Sequence, residues 1–340
     1  MTDGLGIALA GAGLMGRRHA AAIAAVPEAR LVAVVDPDTA AQGFAGECGV
    51  PWYPDLAGLF DSGKPDGVIL ATPNQLHEAQ GLDCVAAGLP MLIEKPISTT
   101  ASAAQRLVEA AEAAGVAILV GHHRRHNPLI RKAKALIDEG AIGRIVAIHG
   151  MCWLYKPDDY FDAAWRRKAG AGPVFINLIH DIDLLRHLCG EIVSVLARDS
   201  QAVRGNEVED TAAVLLTFEN GALGTVVVSD TIVGPWSWEM TAKENPVYPQ
   251  TDEACYLIGG THGSLALPNL RLWRQGDARG WWQPISGTPV DVPAADPLVE
   301  QMRHFCRVIQ GAEEPLVSGR EAARSLAVIE AIKTATARSG

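Results

Sequence analysis

Short apolar runs punctuate the first third of the chain at residues 7–10, 31–35, 67–71, 91–93 and 117–120. Runs this short are the pattern of strands buried on both faces. Between them, stretches near 15–25, 75–87 and 101–114 repeat their apolar residues at helical spacing. Gly88 and Gly115 sit where left-handed helix C-caps belong, and Thr99 or Thr100 is placed to cap the third helix. Strand and helix alternating in this way predict a doubly wound parallel sheet.

The pattern changes after His126. A helix near 129–138 leads into a strand-like stretch at 145–155, then a loop rich in Lys, Asp and Arg, then a helix near 174–188. Strand-like runs follow at 192–199, 211–218, 222–230, 254–258 and 264–267, two of them joined by the short turn Glu219-Asn220-Gly221. Residues 236–250, bracketed and interrupted by prolines, predict a long loop. Two helices, near 297–310 and 320–337, close the chain. The expected fold is α/β: a doubly wound domain over residues 1–122, then an α+β domain over 123–340 with a mainly antiparallel open sheet. The closing helices are candidates to pack back on the first domain.

Composition narrows the function classes. With 340 residues, two domains and ample core are expected, so no metal or disulfide staple is needed. Lys plus Arg is 29 against 39 Asp plus Glu, a net charge of −10. That balance disfavours nucleic acid and anionic membranes, which both select a basic face. None of the six cysteines forms a C-x-x-C pair, so reduced thiols and no metal site are expected. No charged leader precedes the apolar residues 5–12, and no run reaches membrane-span length, so the expectation is a cytoplasmic protein.

Candidate chemistry begins at Gly11-Ala12-Gly13-Leu14-Met15-Gly16, which matches G-x-G-x-x-G between a strand and a helix. Gly11 permits the tight turn, Gly13 lets the backbone approach a pyrophosphate, and Gly16 allows close helix–strand packing. The diphosphate then meets free N–H groups at a helix N-terminus. Asp36, 20 residues beyond Gly16 at the end of the second strand, is placed to accept from ribose hydroxyls. Its charge would repel a 2′-phosphate, so NAD is expected over NADP. The first domain is therefore expected to be a Rossmann domain. Arg17 and Arg18 are candidate phosphate contacts or simply solvated residues.

Further motifs follow in order: Ala71-Thr72-Pro73-Asn74, Glu94-Lys95-Pro96, the segment 121–128 after the fifth strand, and His180-Asp181-Ile182-Asp183 on a later helix. Together with the glycine motif they resemble the Gfo/Idh/MocA oxidoreductases, the glucose–fructose oxidoreductase and inositol dehydrogenase group, over nearly the whole chain. The resemblance implies hydride transfer between a secondary alcohol of a sugar, cyclitol or polyhydroxy acid and the nicotinamide. It implies a cofactor set of Gly11, Gly13, Leu14, Met15, Gly16, Asp36, Ala71, Thr72, Pro73, Asn74, His77, Glu94 and Lys95. Lys95 would contact nicotinamide ribose and the reacting hydroxyl, where a cation stabilises a developing alkoxide. His180 would be the general acid/base, with Asn177 and Asp183 on the same helical face at i, i+3 spacing. Many members carry Asp four residues before the histidine. Here that position is Ile176, so Asn177 or Asp183 is expected to orient the imidazole.

The resemblance also places the loop from Lys156 to Lys168, with Trp165 and Arg166, over the active site, and Arg124 and Arg125 beside it. So many cations in an acidic chain suggest a carboxylated substrate, which Arg binds through its planar fork. The alternative is a solvated loop balanced by Asp158, Asp159 and Asp162. Trp236 and Trp238 are candidates for sugar stacking or for subunit contacts. A homodimer or homotetramer is implied by resemblance alone. Three other functions fit the same motifs: a cis-dihydrodiol dehydrogenase, a carbonyl or imine reductase, and a dinucleotide-binding regulator without catalysis.

Overall fold

The computed structural model describes residues 4–168, 170–276 and 278–337. They form two compact units: the chain up to Asn127 with Ala295–Ala327, and Pro128–Ala294 with the chain from Val328 on. The elements run β1 (Leu5–Ala10), α1 (Leu14–Ala24), β2 (Ala29–Val35), α2 (Ala41–Glu47), β3 (Trp52–Tyr53), α3 (Leu56–Ser62), β4 (Gly67–Leu70), α4 (His77–Ala87), β5 (Met91–Ile93), α5 (Ala101–Ala114) and β6 (Ile118–Val120). The second unit holds α6 (Pro128–Asp138), β7 (Ile145–Trp153), α7 (Pro173–Ile176), α8 (Leu178–Cys189), β8 (Ile192–Ser200), β9 (Thr211–Phe218) and β10 (Leu223–Ser229). It continues through α9 (Trp238–Thr241), β11 (Tyr256–Gly260), β12 (Ser264–Leu267), β13 (Arg271–Gln275) and β14 (Ile285–Pro289). Helices α10 (Pro297–Ile309) and α11 (Gly319–Ala337) close the chain.

The first unit is a six-stranded parallel sheet in the order β3-β2-β1-β4-β5-β6, the Rossmann arrangement. Strands β4, β5 and β6 are buried along their whole length, as their uninterrupted apolar composition requires. Gly88 and Gly115 end α4 and α5 in the left-handed conformation, with φ of 70° and 64°. The Thr100 hydroxyl caps α5 by accepting from the Ala103 N–H at 3.2 Å. The order reverses between β1 and β4, which opens a crevice at their carboxyl ends.

The second unit is an eight-stranded sheet in the order β14-β13-β12-β11-β7-β10-β9-β8. Every pairing is antiparallel except β7 with β10. Strand β9 alternates buried and more exposed positions, so one face of it packs inward and the other stays open.

Two expectations are corrected. The single helix expected over 174–188 is two, α7 and α8, broken at Asn177. The cause lies far along the chain: Glu209 accepts from the Val174 N–H at 3.0 Å and fixes α7 where Gly172 turns at φ 87°. The loop expected over 236–250 carries α9, capped by Ser237, and Trp238 is buried within it. The elements β3, α2, α3, β13 and β14 have no counterpart among the expected elements. No described helix is long and apolar enough to cross a membrane.

Candidate active site

In the first unit the expected cofactor residues gather at the carboxyl ends of the parallel strands. Gly11 leaves β1 at φ 95°, and a Cβ there would collide with the Ala71 carbonyl oxygen. A Cβ on Gly16 would collide with the Gly11 carbonyl oxygen. Gly13 differs: an added Cβ would meet nothing within 4 Å. Two glycines are thus demanded by packing, while the third leaves open space at the start of α1. No side chain caps α1, so its first N–H groups remain available to an anion. The Asp36 carboxylate accepts from the Ala12 N–H at 2.8 Å and the Asp38 N–H at 2.9 Å. It braces the glycine turn and retains acceptor lone pairs beyond those two bonds. An open cradle, an uncapped helix and a carboxylate at the end of β2 fit a dinucleotide.

Arg17 lies 4.3 Å over the Phe44 ring and 3.9 Å from Glu47, with half of its side chain exposed. Leu14 is 79% exposed, as suits a residue at the mouth of a binding crevice.

Two residues of the expected cofactor set turn inward. His77 has no exposed surface; Nδ1 lies 2.8 Å from the Pro96 carbonyl oxygen and Nε2 2.9 Å from that of Thr72. Burial lowers its pKa, against the opposing pull of those two carbonyls, and the ring packs between the Thr72 and Pro96 turns. Glu94 is buried too, with Oε1 2.7 Å from His19 Nε2 and Oε2 accepting from the Lys95 N–H at 3.3 Å. Burial alone would raise this carboxyl. The His19 hydrogen bond and the charges of His19, His123 and Lys95 outweigh it and hold the group at about 2. The two residues lie 75 apart, so nothing local in the sequence pairs His19 with Glu94. Lys95, half-buried, follows directly at the end of β5. Arg124 and Arg125 are buried in the turn after β6, and Arg125 lies 3.5 Å from Glu321. Arg125 is therefore engaged by a carboxylate of its own unit.

In the second unit α8 carries His180, Asp181 and Asp183, all buried. Asn177 begins α8, and its carbonyl accepts from the His180 N–H at 3.1 Å. Tyr256 on β11 donates its hydroxyl to Asp181 and stacks on Trp238 at 5.9 Å. Trp238, 1% exposed, is thus core and not a sugar platform. Trp236 packs edge-on against Trp153 at 5.4 Å. Trp165 stays 57% exposed, with the Arg166 guanidinium 5.4 Å from its ring. Lys156 opens the loop expected over the active site. It is buried, and its ammonium donates to Asn177 Oδ1 at 2.7 Å. No group of three or more metal-ligating side chains occurs among the described residues.

Comparison with known proteins gives the same picture. Residues 5–122 match the family model described as an oxidoreductase family with NAD-binding Rossmann fold, and residues 130–266 match the GFO/IDH/MocA C-terminal domain. Inositol 2-dehydrogenase 2 of Saccharopolyspora erythraea is 34% identical over 238 residues, 66% of each chain. An inositol 2-dehydrogenase of Rubrobacter xylanophilus is 31% identical over 282 residues, 79% of this chain and 73% of its own. Among solved structures, the WlbA dehydrogenase of Bordetella pertussis, in complex with NADH and UDP-GlcNAcA, superposes with a TM-score of 0.80. It is 27% identical and covers 99% of this chain and 98% of its own.

Proposed function

Because this chain belongs to the GFO/IDH/MocA family of NAD-binding oxidoreductases, we propose that it oxidises a secondary alcohol of a sugar, cyclitol or polyhydroxy acid, or reduces the matching ketone. The observation that carries this reading is the open Gly13 cradle at the switch point of the sheet, with Lys95 at the end of β5. Bound NAD supplies the hydride acceptor. Gly11, Gly13 and the start of α1 would hold its diphosphate, and Asp36 its adenosine ribose.

The chain's own residues then have to manage one proton and one developing charge. A hydroxyl that gives up hydride must also lose its proton, and an alkoxide in a water-poor site needs a cation. The Lys95 ammonium fills that role at the reacting oxygen. His180 accepts the hydroxyl proton on a ring nitrogen and returns it in the reverse direction. Asp183 holds the imidazole in place of the carboxylate that Ile176 lacks. Six free cysteines suit a reducing compartment such as the cytoplasm. The open face of the second unit's sheet is the proposed surface for pairing two copies.

The roles are tested by following NADH formation at its absorbance band over a panel of inositols, aldoses, uronates and aldonates. Replacing Lys95 by Met, or His180 by Asn, should lower kcat by about 10²–10⁴. For His180→Asn, NADH affinity, read by its fluorescence, should change by less than about threefold, since that role is not in nucleotide binding. A Lys95→Met enzyme within tenfold of wild type would remove the mechanism. Firm NADH binding without turnover of any alcohol would point instead to a dinucleotide-binding regulator.

A further inference from the structure

The loop after β7 buries a cation that no carboxylate among the described residues pairs with. Lys156 is 7% exposed. Its ammonium has three donors, and the one hydrogen bond it makes among the described residues goes to Asn177 Oδ1 at 2.7 Å. Among the described residues, no carboxylate lies within ion-pair distance of it. The Asp230 carboxylate is occupied by Arg204, whose Nε donates to it at 2.8 Å. The Arg204 Nη2 donates to the carbonyl oxygens of Lys156 and Asp230, both at 2.7 Å. Arg204 is therefore spent on holding the loop. Burial accordingly lowers the Lys156 pKa, with the charges of Asp230 and Glu239 only partly opposing it.

Arg166 is in the same position. It is half-buried, its Nη1 donates to the Tyr160 carbonyl, and its Nε is buried without a partner. It too has no carboxylate within ion-pair distance among the described residues. Its guanidinium lies 4.0 Å from the Tyr160 ring centroid, and the Lys156 ammonium 4.9 Å from the same point. The two charges therefore lie within about 9 Å of one another. Asp158, Asp159 and Asp162, the expected balancing acids, are exposed, and Asp158 pairs with Arg204 at 3.5 Å.

Asn177 completes the set. Because Lys156 donates to Oδ1, the amide orientation is fixed and Nδ2 offers its N–H donors. Its backbone carbonyl accepts from the His180 N–H, so the amide stands at the first turn of the helix that carries the proposed acid/base. Two unneutralised cations and an oriented amide donor make a constellation that donates and does not accept. We infer that Lys156, Arg166 and Asn177 form a subsite for an anionic oxygen group, carboxylate or phosphate, borne by the polyhydroxy substrate. This rests on the dehydrogenase reading above and narrows the cations expected to bind an acid to two in the loop after β7. Taking up the anion gives the buried ammonium its missing counter-charge, so a neutral sugar that lacks the anion is rejected by what it leaves unpaired.

The test is calorimetric titration of the NAD-loaded protein with D-glucuronate, D-galacturonate, D-gluconate, D-glucose 6-phosphate, D-glucose, D-galactose and myo-inositol. At least one anion should bind at least about tenfold tighter than its neutral counterpart. K156Q and R166Q should each cut that advantage by about tenfold while leaving NADH affinity unchanged. A preference for the sugar acids assigns the site to carboxylate, and a preference for the sugar phosphate assigns it to phosphate. Equal binding of anions and neutral sugars overturns the inference, as does an advantage that survives both substitutions, or no anion binding below about 10 mM. Where K156Q fails to fold, R166Q, at a half-buried position, carries the test. Oxidation of neutral sugars with no anion preference would sink the subsite and keep the dehydrogenase. Tight anion binding without NADH formation would do the reverse.

Discussion

At the level of single residues, Asp36 combines two roles that a substitution can separate. Each carboxylate oxygen receives one backbone N–H, from Ala12 and from Asp38, so the group shapes the glycine turn; in the proposed function its negative charge also stands at the ribose position. Asp36→Asn keeps one acceptor oxygen and removes the charge. Losing one of the two backbone bonds should cost about 1 kcal/mol of stability, seen as a small drop in Tm. Removing the charge should relax discrimination against a 2′-phosphate, so the ratio of kcat/KM for NAD over NADP should fall by about tenfold or more. An unchanged ratio would mean that the acid is present for the turn alone. Neither role extends to His77, which the family resemblance also implied at the cofactor; its ring nitrogens lie against two backbone carbonyls and it has no exposed surface.

Between elements, the pair His19–Glu94 links α1 to the end of β5 across 75 residues of sequence. It sits directly beside Lys95, whose N–H donates to the same carboxylate. Glu94 is held at about 2 in the folded protein against an ordinary 4.5. A carboxyl with a depressed folded pKa adds stability that is complete above its unfolded value and is lost as pH falls through the folded one. The contribution is therefore intact above pH 4.5 and disappears progressively toward about 2. Its full size is on the order of 3 kcal/mol. Glu94→Gln should unfold in denaturant at lower concentration than wild type at pH 7, and the gap should narrow as pH drops from 5 to 3. A gap independent of pH would show that the pair acts through shape and not through charge. The same scale explains what could be read in the chain. Strands β1, β2, β4, β5 and β6, and helices α1, α4 and α5, announce themselves because apolar period and glycine caps are local signals. Elements α2 and α3, seven residues each, and the hairpin β13–β14 carry too little periodicity to stand out. The break at Asn177 depends on Glu209, 35 residues beyond Val174, so no window around the helix contains it. The sequence-level site has the same boundary. Its glycine turn, Asp36 and Lys95 follow from motif order, whereas Glu94–His19 and Tyr256–Asp181 join residues 75 apart, and Lys156–Asn177 joins residues 21 apart.

For the whole molecule, the open face of the eight-stranded sheet is where composition and exposure disagree. Alternation along a strand with one solvated face should place polar residues outward. Strand β9 instead leaves Leu215 outward at 39% exposure, β8 leaves Leu196 at 66%, β10 leaves Leu223 at 52% and β11 leaves Leu257 at 47%. These strands belong to one continuous sheet, so four leucines across it amount to a patch and not to scattered surface residues. A stable pair of copies needs roughly 800 Å² from each partner, which a sheet face of this breadth can supply. A self-complementary surface of this kind gives a two-fold pair. Replacing Leu196 and Leu215 together by Glu sets like charges on both sides of such an interface and buries them without partners, a change that costs several kcal/mol. Light scattering coupled to size-exclusion chromatography should report a multiple of 36.0 kDa for the wild type and about half that mass, or a quarter, for the double variant. Far-UV circular dichroism should be unchanged, since both side chains already face away from their own core. Retention of the wild-type mass by the double variant would place the contact between copies on another surface. A wild-type mass of one chain would leave the exposed leucines without a partner of their own kind.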